Sequence, residues 1–223
     1  MYLKVLFILL YMEEHKQHLD ALADIRSMME KSTKFISLSG LSGVFAGIFA
    51  LIGAGVAFYY INNHHNNSDY YDYAYLEDGS VNVDFFVFFI TDALLVLVFA
   101  LTSGFYFTYR KAKKKGQAIW NSSSKRLLVH LFLPLFAGGV FSLALLKYEL
   151  FGLIAPVTMI FYGLALLNAS KYTLHDIQYL GVLQIILGLI SSFMIGYGLF
   201  FWALGFGVLH IVYGLIMYSK YEK

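Results

Sequence analysis

Asp92 is the one acid inside an otherwise uncharged apolar run, Phe85 to Tyr109. A carboxylate at the centre of a membrane span costs roughly 2.5–3.5 kcal/mol on insertion scales, so it needs a partner or a use. His210 stands in the last apolar run of the chain. Counted along helices at about 1.5 Å per residue, Asp92 falls about 12 Å past Asp84 and His210 about 16 Å past Leu199, so their depths are compatible. The two are therefore expected to face each other inside a helical bundle. An ion pair or a neutral hydrogen bond between them would lower the cost of burial. The chemistry of such a pair would be proton handling, because histidine titrates near neutral pH. The plainer alternative is that each makes a structural hydrogen bond to a Ser, Thr or Tyr. Gln184, about 10 Å beyond Ile177, reads as interhelical glue. His130 reads as interfacial, and Tyr162 and Tyr213 as bundle residues that hydrogen-bond or simply pack. His64 and His65 lie beside external acids and have the ligand types for zinc or copper, but their spacing matches no motif, and a solvated loop is the simpler reading.

Positive signs of enzymatic chemistry are missing. The chain has no HExxH, no GxSxG and no phosphate-binding loop, and it has no cysteine. An intramembrane aspartyl protease needs two acids within its spans, and only Asp92 is present. We expect no enzyme, no cofactor and no bound metal.

The elements that position these groups follow from composition. Of 223 residues, 59% are hydrophobic and 13% are charged, against about 25% charged in a typical soluble domain. That excludes an ordinary globular enzyme and a disordered chain. A net charge of +2 gives no argument for nucleic acid. An all-α integral membrane protein remains, because hydrocarbon tolerates only backbone whose polar groups are satisfied internally. Runs free of Asp, Glu, Lys and Arg (Asp92 apart) place spans at about 35–61, 85–109, 127–146 and 150–168. The final run, Ile177 to Ser219, is about twice the length a bilayer needs. It must fold back, with the corner at Gly196-Tyr197-Gly198, giving spans 177–197 and 199–219. The expected domain is a six-transmembrane-helix bundle over 35–219, with Lys147-Tyr148-Glu149 as the tight turn between spans three and four.

With six spans, 15 of the 16 Lys and Arg residues share one side, Lys147 being the exception. Basic residues resist translocation, so both termini are expected to be cytoplasmic, in a bacterial inner membrane. The 110–126 segment is then a basic cytoplasmic loop. The 62–84 segment, with five acids and no cation, is an acidic external loop, partly packed through Tyr70, Tyr71, Tyr73 and Tyr75. Residues 1–34 form a cytoplasmic or interfacial segment whose true start is Met12 or else an interfacial anchor. Within it, Leu19, Leu22, Ile25 and Met29 predict an amphipathic helix over about 13–34 that lies on the membrane, docks on a partner or packs on the bundle.

Finer features bear on packing. Ser39, Gly43 and Gly47 form a small-xxx-small row on span one, and Ala46, Ala50 and Ala54 form another; such rows serve close packing within the bundle or a homodimer. Pro134 and Pro156 are expected to kink spans three and four. Thr173 and Asp176 match a capping box at the start of span five. Lys113, Lys114 and Lys115 would attract anionic headgroups at about 1 kcal/mol each, and they offer a contact for a partner. Tyr162-Gly163-Leu164 before Ser170-Lys171-Tyr172 is echoed by Tyr213-Gly214-Leu215 before Ser219-Lys220-Tyr221, with Gly138 and Gly188 aligning at a similar offset. The echo suggests three parallel helical hairpins; aromatic belts and snorkelling lysines are the alternative source.

The stretches IRSMMEKSTKFISLSGLSGVFAGIFALIGA (25–54), KYTLHDIQYLGVLQIILGLI (171–190) and GFGVLHIVYGLIMYSKY (205–221) resemble a family of uncharacterised polytopic inner-membrane proteins of Bacteroidota. That resemblance implies proximity to a cytoplasmic winged-helix regulator and a place in an envelope-response system, and it carries no catalytic residue. The expected function is a structural or signalling component coupled to that regulator. The competing expectation is a small proton-linked transporter or channel using Asp92 and His210.

Overall fold

Long apolar runs with good helix formers dominate the chain, and the fold they make is all-helical. The computed structural model describes residues 15, 34–35, 38–64, 74–76, 78–116 and 118–222. The expected helix over 13–34, Tyr70, Tyr71, Tyr73 and His65 lie outside the described residues. Among the described residues these helices follow one another: α1 (Gly40–His64), α2 (Val83–Lys114), α3 (Ser122–Lys147), α4 (Ile154–Ser170, led in by a 3₁₀ turn at Phe151–Leu153), α5 (Ile177–Phe193) and α6 (Gly198–Tyr221). No strand occurs among the described residues; Tyr75 and Val81 form one isolated bridge. Five of the helices are long and apolar enough to cross a bilayer, and these mark the chain as a membrane protein. The other, α5, is apolar but has 17 residues.

The helix ends have local causes. α1 starts at Gly40 rather than Phe35, because the carboxylate of Glu222 accepts the Gly40 N–H at 2.6 Å and the Ser39 hydroxyl at 3.2 Å, serving as a cap from the far end of the chain. Phe35 is pinned ahead of it: its N–H donates to Tyr172 O, and its carbonyl accepts from Thr173 Oγ1, both at 2.7 Å. The capping box expected from Thr173 and Asp176 does not form: the Thr173 hydroxyl is spent on Phe35 and Asp176 caps nothing with its side chain. A capping box exists instead at α3, where Asn121 Oδ1 accepts from Ser124 N and Ser124 Oγ accepts from Asn121 N. α2 runs past Tyr109 into the basic segment, so residues 110–114 are helix rather than loop. Lys, Arg and Ala are strong helix formers, and cations suit a helix C-terminus. Pro156 is not a mid-helix kink: it lies in the first turn of α4, where a missing N–H costs little. Pro134 is inside α3. The expected corners hold, with Glu149 at φ 60° after α3 and Gly196 at φ 105° between α5 and α6.

α2 packs on α1 through rings, with Phe45–Phe107 centroids 4.8 Å apart and Tyr60–Phe88 3.8 Å apart. α1 crosses α6 with almost no side chain between. A Cβ on Gly47 would stand 2.6 Å from Gly207 O, and one on Gly214 2.5 Å from Val44 N. The Gly43–Gly47 row is thus filled from within the bundle. α4 and α5 make a like contact through Gly163 and Gly181, and α3 packs on α4. The echoed Tyr-Gly-Leu triplets therefore both put their glycine at a close helix crossing. Leu166, Leu174, Ile177, Leu180 and Met217 form a buried cluster toward the basic end.

Candidate functional site

Asp92 opens onto a cavity of about 240 Å³ at the end of the bundle where α1 ends and α2 begins. Five of the elements contribute to its wall. Small residues create it: Ala54 and Ala57 from α1, Ala93 from α2 and Ala155 from α4. Rings close it, with Phe85, Phe86 and Phe89 facing Phe151 and Trp202. A Cβ on Gly53 would stand 3.2 Å from Asp92 Oδ2, so the absence of a side chain there lets the carboxylate lie along α1. Among the described residues Asp92 is the only charged one of the wall; Thr158 spends its hydroxyl on Ala155 O at 2.8 Å. Above the cavity, Tyr75 packs on Phe151 and donates its hydroxyl to Glu149 Oε2 at 3.0 Å. That bond ties the 74–82 turn to the α3–α4 turn.

His210 is elsewhere and is fully engaged. Its Nδ1 lies 3.0 Å from Gly205 O and its Nε2 2.8 Å from the Tyr162 hydroxyl. A carbonyl only accepts, so Nδ1 carries the hydrogen, and in the neutral ring Nε2 accepts from Tyr162. The expected Asp92–His210 pairing is not formed; the plainer alternative, a hydrogen bond to a tyrosine, is. Gly205 belongs to a π-helical stretch, Ala203–Leu209, whose widened turn brings its carbonyl within reach of the ring. Such stretches recur at functional positions. Gln184 is fully buried opposite Gly205, 2.6 Å from where a Cβ would stand there. Its amide has no hydrogen-bond partner among the described residues, nor does the hydroxyl of Ser191. Gln184 is therefore close packing against α6 rather than glue. A ring ladder joins the two regions: Trp202 to Phe206 at 5.0 Å, and Phe206 to Tyr162 at 5.0 Å and His210 at 5.9 Å.

The basic end holds a third polar site, and spacing did not reveal it. Lys111 is buried, and its ammonium donates to Leu38 O at 2.6 Å and to Glu222 Oε1 at 3.2 Å. With Ser39 and Gly40 on the same carboxylate, this clamp joins the start of α1, the end of α2 and the end of α6. Nearby, Lys220 and the Tyr221 hydroxyl both donate to Asp176 Oδ2, at 2.8 and 2.7 Å. The Lys220 ammonium, hydrogen-bonded to it, holds the Asp176 carboxyl below the usual carboxylate range despite partial burial. Lys113, Lys114 and Lys115 are exposed. His130 stacks on Tyr172 at 4.6 Å. No group of three His, Cys, Asp or Glu suited to a metal occurs among the described residues.

Comparison with protein-family models, with curated proteins and with solved structures finds no match to this chain. What the chain does must be argued from these three sites.

Proposed function

We propose that this chain is a six-crossing inner-membrane protein with both termini cytoplasmic, acting without catalysis as a structural or signalling component for a cytoplasmic partner. α5 counts as the sixth crossing: 17 residues span about 26 Å, at the short end of what a bilayer accepts. The observation that carries the reading is the Lys111–Glu222 clamp. It gathers three helix ends beside the exposed Lys113–Lys115 run, so a change in helix packing alters the geometry of one basic surface. Apart from Asp92, the polar groups of the bundle are mostly engaged: hydroxyls of Thr102, Ser142, Thr158 and Ser192 donate to carbonyls of their own helices and Tyr162 bonds His210, which disfavours a hydrophilic path. The partner would be an acidic surface of a soluble regulator, for which the family resemblance suggests a winged-helix protein.

The test combines topology with capture. Single cysteines at positions 78 and 114, clean in a chain without native cysteine, should label from outside and inside respectively. Cross-linking from position 114 in cells should trap one cytoplasmic protein, and changing the flanking Lys113 and Lys115 to Gln while keeping that cysteine should abolish the product. Labelling of position 114 from outside would end the reading. A proton-linked transport reading now rests on Asp92 alone, since His210 is bonded elsewhere. Reconstituted proton flux that Asp92→Asn abolishes would favour it.

A further inference from the structure

We propose that the Asp92 cavity is a binding site for a small hydrophobic monocation, an aryl- or alkylammonium. The proposal goes beyond the cytoplasmic-partner reading and does not depend on it. Four observations converge. The cavity, at about 240 Å³, falls just below the roughly 300–1,000 Å³ of drug-sized pockets, so its occupant is one substituted ring or a short branched chain. Among the described residues its wall is largely apolar, with Asp92 its one charge, and the Thr158 hydroxyl is already satisfied. Asp92 has no hydrogen-bond or ion-pair partner among the described residues, and one negative charge in such a wall is matched by one positive charge. Phe85, Phe86, Phe89, Phe151 and Trp202 line the same cavity as that charge, and aromatic faces attract ammonium groups within about 6 Å of the ring centre.

Other occupants fit less well. An anion would meet Asp92 with no cation to offset it. A sugar would find one carboxylate where it needs many donors and acceptors. A metal ion would have a single carboxylate ligand. An acyl tail would fill the space but leave the carboxylate facing hydrocarbon.

The experiment uses the full chain in nanodiscs and benzyltrimethylammonium as the probe. Trp202 lines the cavity and the chain has only one other tryptophan, Trp120, so a Trp120→Phe background makes Trp202 fluorescence the readout, against empty nanodiscs. Saturable quenching is expected. Asp92→Asn, isosteric and less costly to bury, should raise the dissociation constant at least tenfold for the cation. It should leave binding of neopentylbenzene, the neutral carbon analogue, unchanged. Ala57→Leu, which fills the cavity, should abolish both. An Asp92→Asn protein that binds the cation as tightly as the parent overturns the proposal. So does a parent protein that prefers the neutral analogue, which would identify an acyl-chain site. Absence of saturable quenching in the folded parent also overturns it, and none of these results touches the cytoplasmic cross-linking test.

Discussion

Glu222 follows the last turn of α6, yet Glu222→Gln should be among the most destabilising polar changes in this chain. The Glu222 side chain is 13% exposed and its Lys111 partner 7%. At 3.2 Å and an effective dielectric near 20, their gross attraction is about 5 kcal/mol. Most of that offsets the dehydration of two ions, so the pair's net worth is small. Breaking one side is another matter, since with Gln at 222 the buried ammonium has only neutral oxygens, Leu38 O and the amide oxygen, and no counter-charge. One-sided breaks of buried pairs cost about 3–5 kcal/mol. The clamp sits at the open end of the bundle, so we expect about 2–3 kcal/mol for Glu222→Gln and a similar loss for Lys111→Met. The double variant should lose at least about 1.5 kcal/mol less than the sum of the singles, within the range of coupling for touching residues. The assay is reversible unfolding in mixed micelles of increasing SDS fraction, followed by far-ultraviolet ellipticity. Additivity within about 0.5 kcal/mol, the scatter expected of independent sites, would refute the claim that the two groups form one buried unit.

Four further outcomes follow from the same geometry. Gly47→Ala should cost about 1–3 kcal/mol, because its Cβ meets Gly207 O and Ile211 N, whereas Gly55→Ala, with open space around it, should be neutral or better in the same unfolding assay. Tyr162→Phe should cost about 0.6–1.7 kcal/mol, the range for interhelical hydrogen bonds in membranes; nitrogen NMR of labelled histidine should show Nε2 of His210 losing its donor while Nδ1 keeps its hydrogen. Asp176, whose carboxyl is held low mainly by Lys220, contributes stability above the unfolded-state value near about 3.9 and loses it as pH falls through the folded value. The parent and Asp176→Asn should therefore differ at pH 7 by under about 1 kcal/mol, Lys220 being half-exposed, and converge in acid. Thr173→Val should loosen the tie to Phe35 and speed amide exchange at Phe35 and Gly40, with the core of α1 unchanged.

The long apolar helices are legible in the sequence because hydrocarbon enforces them: a run without charges long enough to span must be helix, and Gly196 and Glu149 mark two of the tight reversals between them. The boundaries failed where a charge was taken for a helix end. Arg110 to Lys114 continue α2 because Lys111 and Ala112 are buried against the other helix ends, a long-range fact that no local pattern holds. The Thr173–Asp176 pattern misled for the same reason: the nearer partner in sequence lost to Phe35 and Lys220. The Asp92–His210 pairing used depth alone, and depth gives one coordinate. Which way each side chain points around its helix, and which helices are neighbours, decide the rest. With α1 lying between α2 and α6, Asp92 faces α1 and the cavity, while His210 faces α4. Residues such as Tyr162, weighed only as a packing tyrosine or a donor, acquire their role once α4 and α6 are side by side.

The lengths of α2 and α5 have a consequence for the lipid itself. Thirty-two residues of α2 measure about 48 Å and seventeen of α5 about 26 Å, against a hydrocarbon slab of about 30 Å. Only the apolar run of α2, Phe85 to Tyr109, must lie in hydrocarbon; it measures about 38 Å and fits a slab of about 30 Å at a tilt near the top of the roughly 0–40° range of membrane helices, with the basic last turn clear of the slab. In the six-crossing arrangement α5 must therefore stand nearly upright, with the leaflets drawn in by a few Å beside it, while α2 leans strongly against the same slab. The two helices ask different things of one bilayer, so a thicker membrane should strain α5 first.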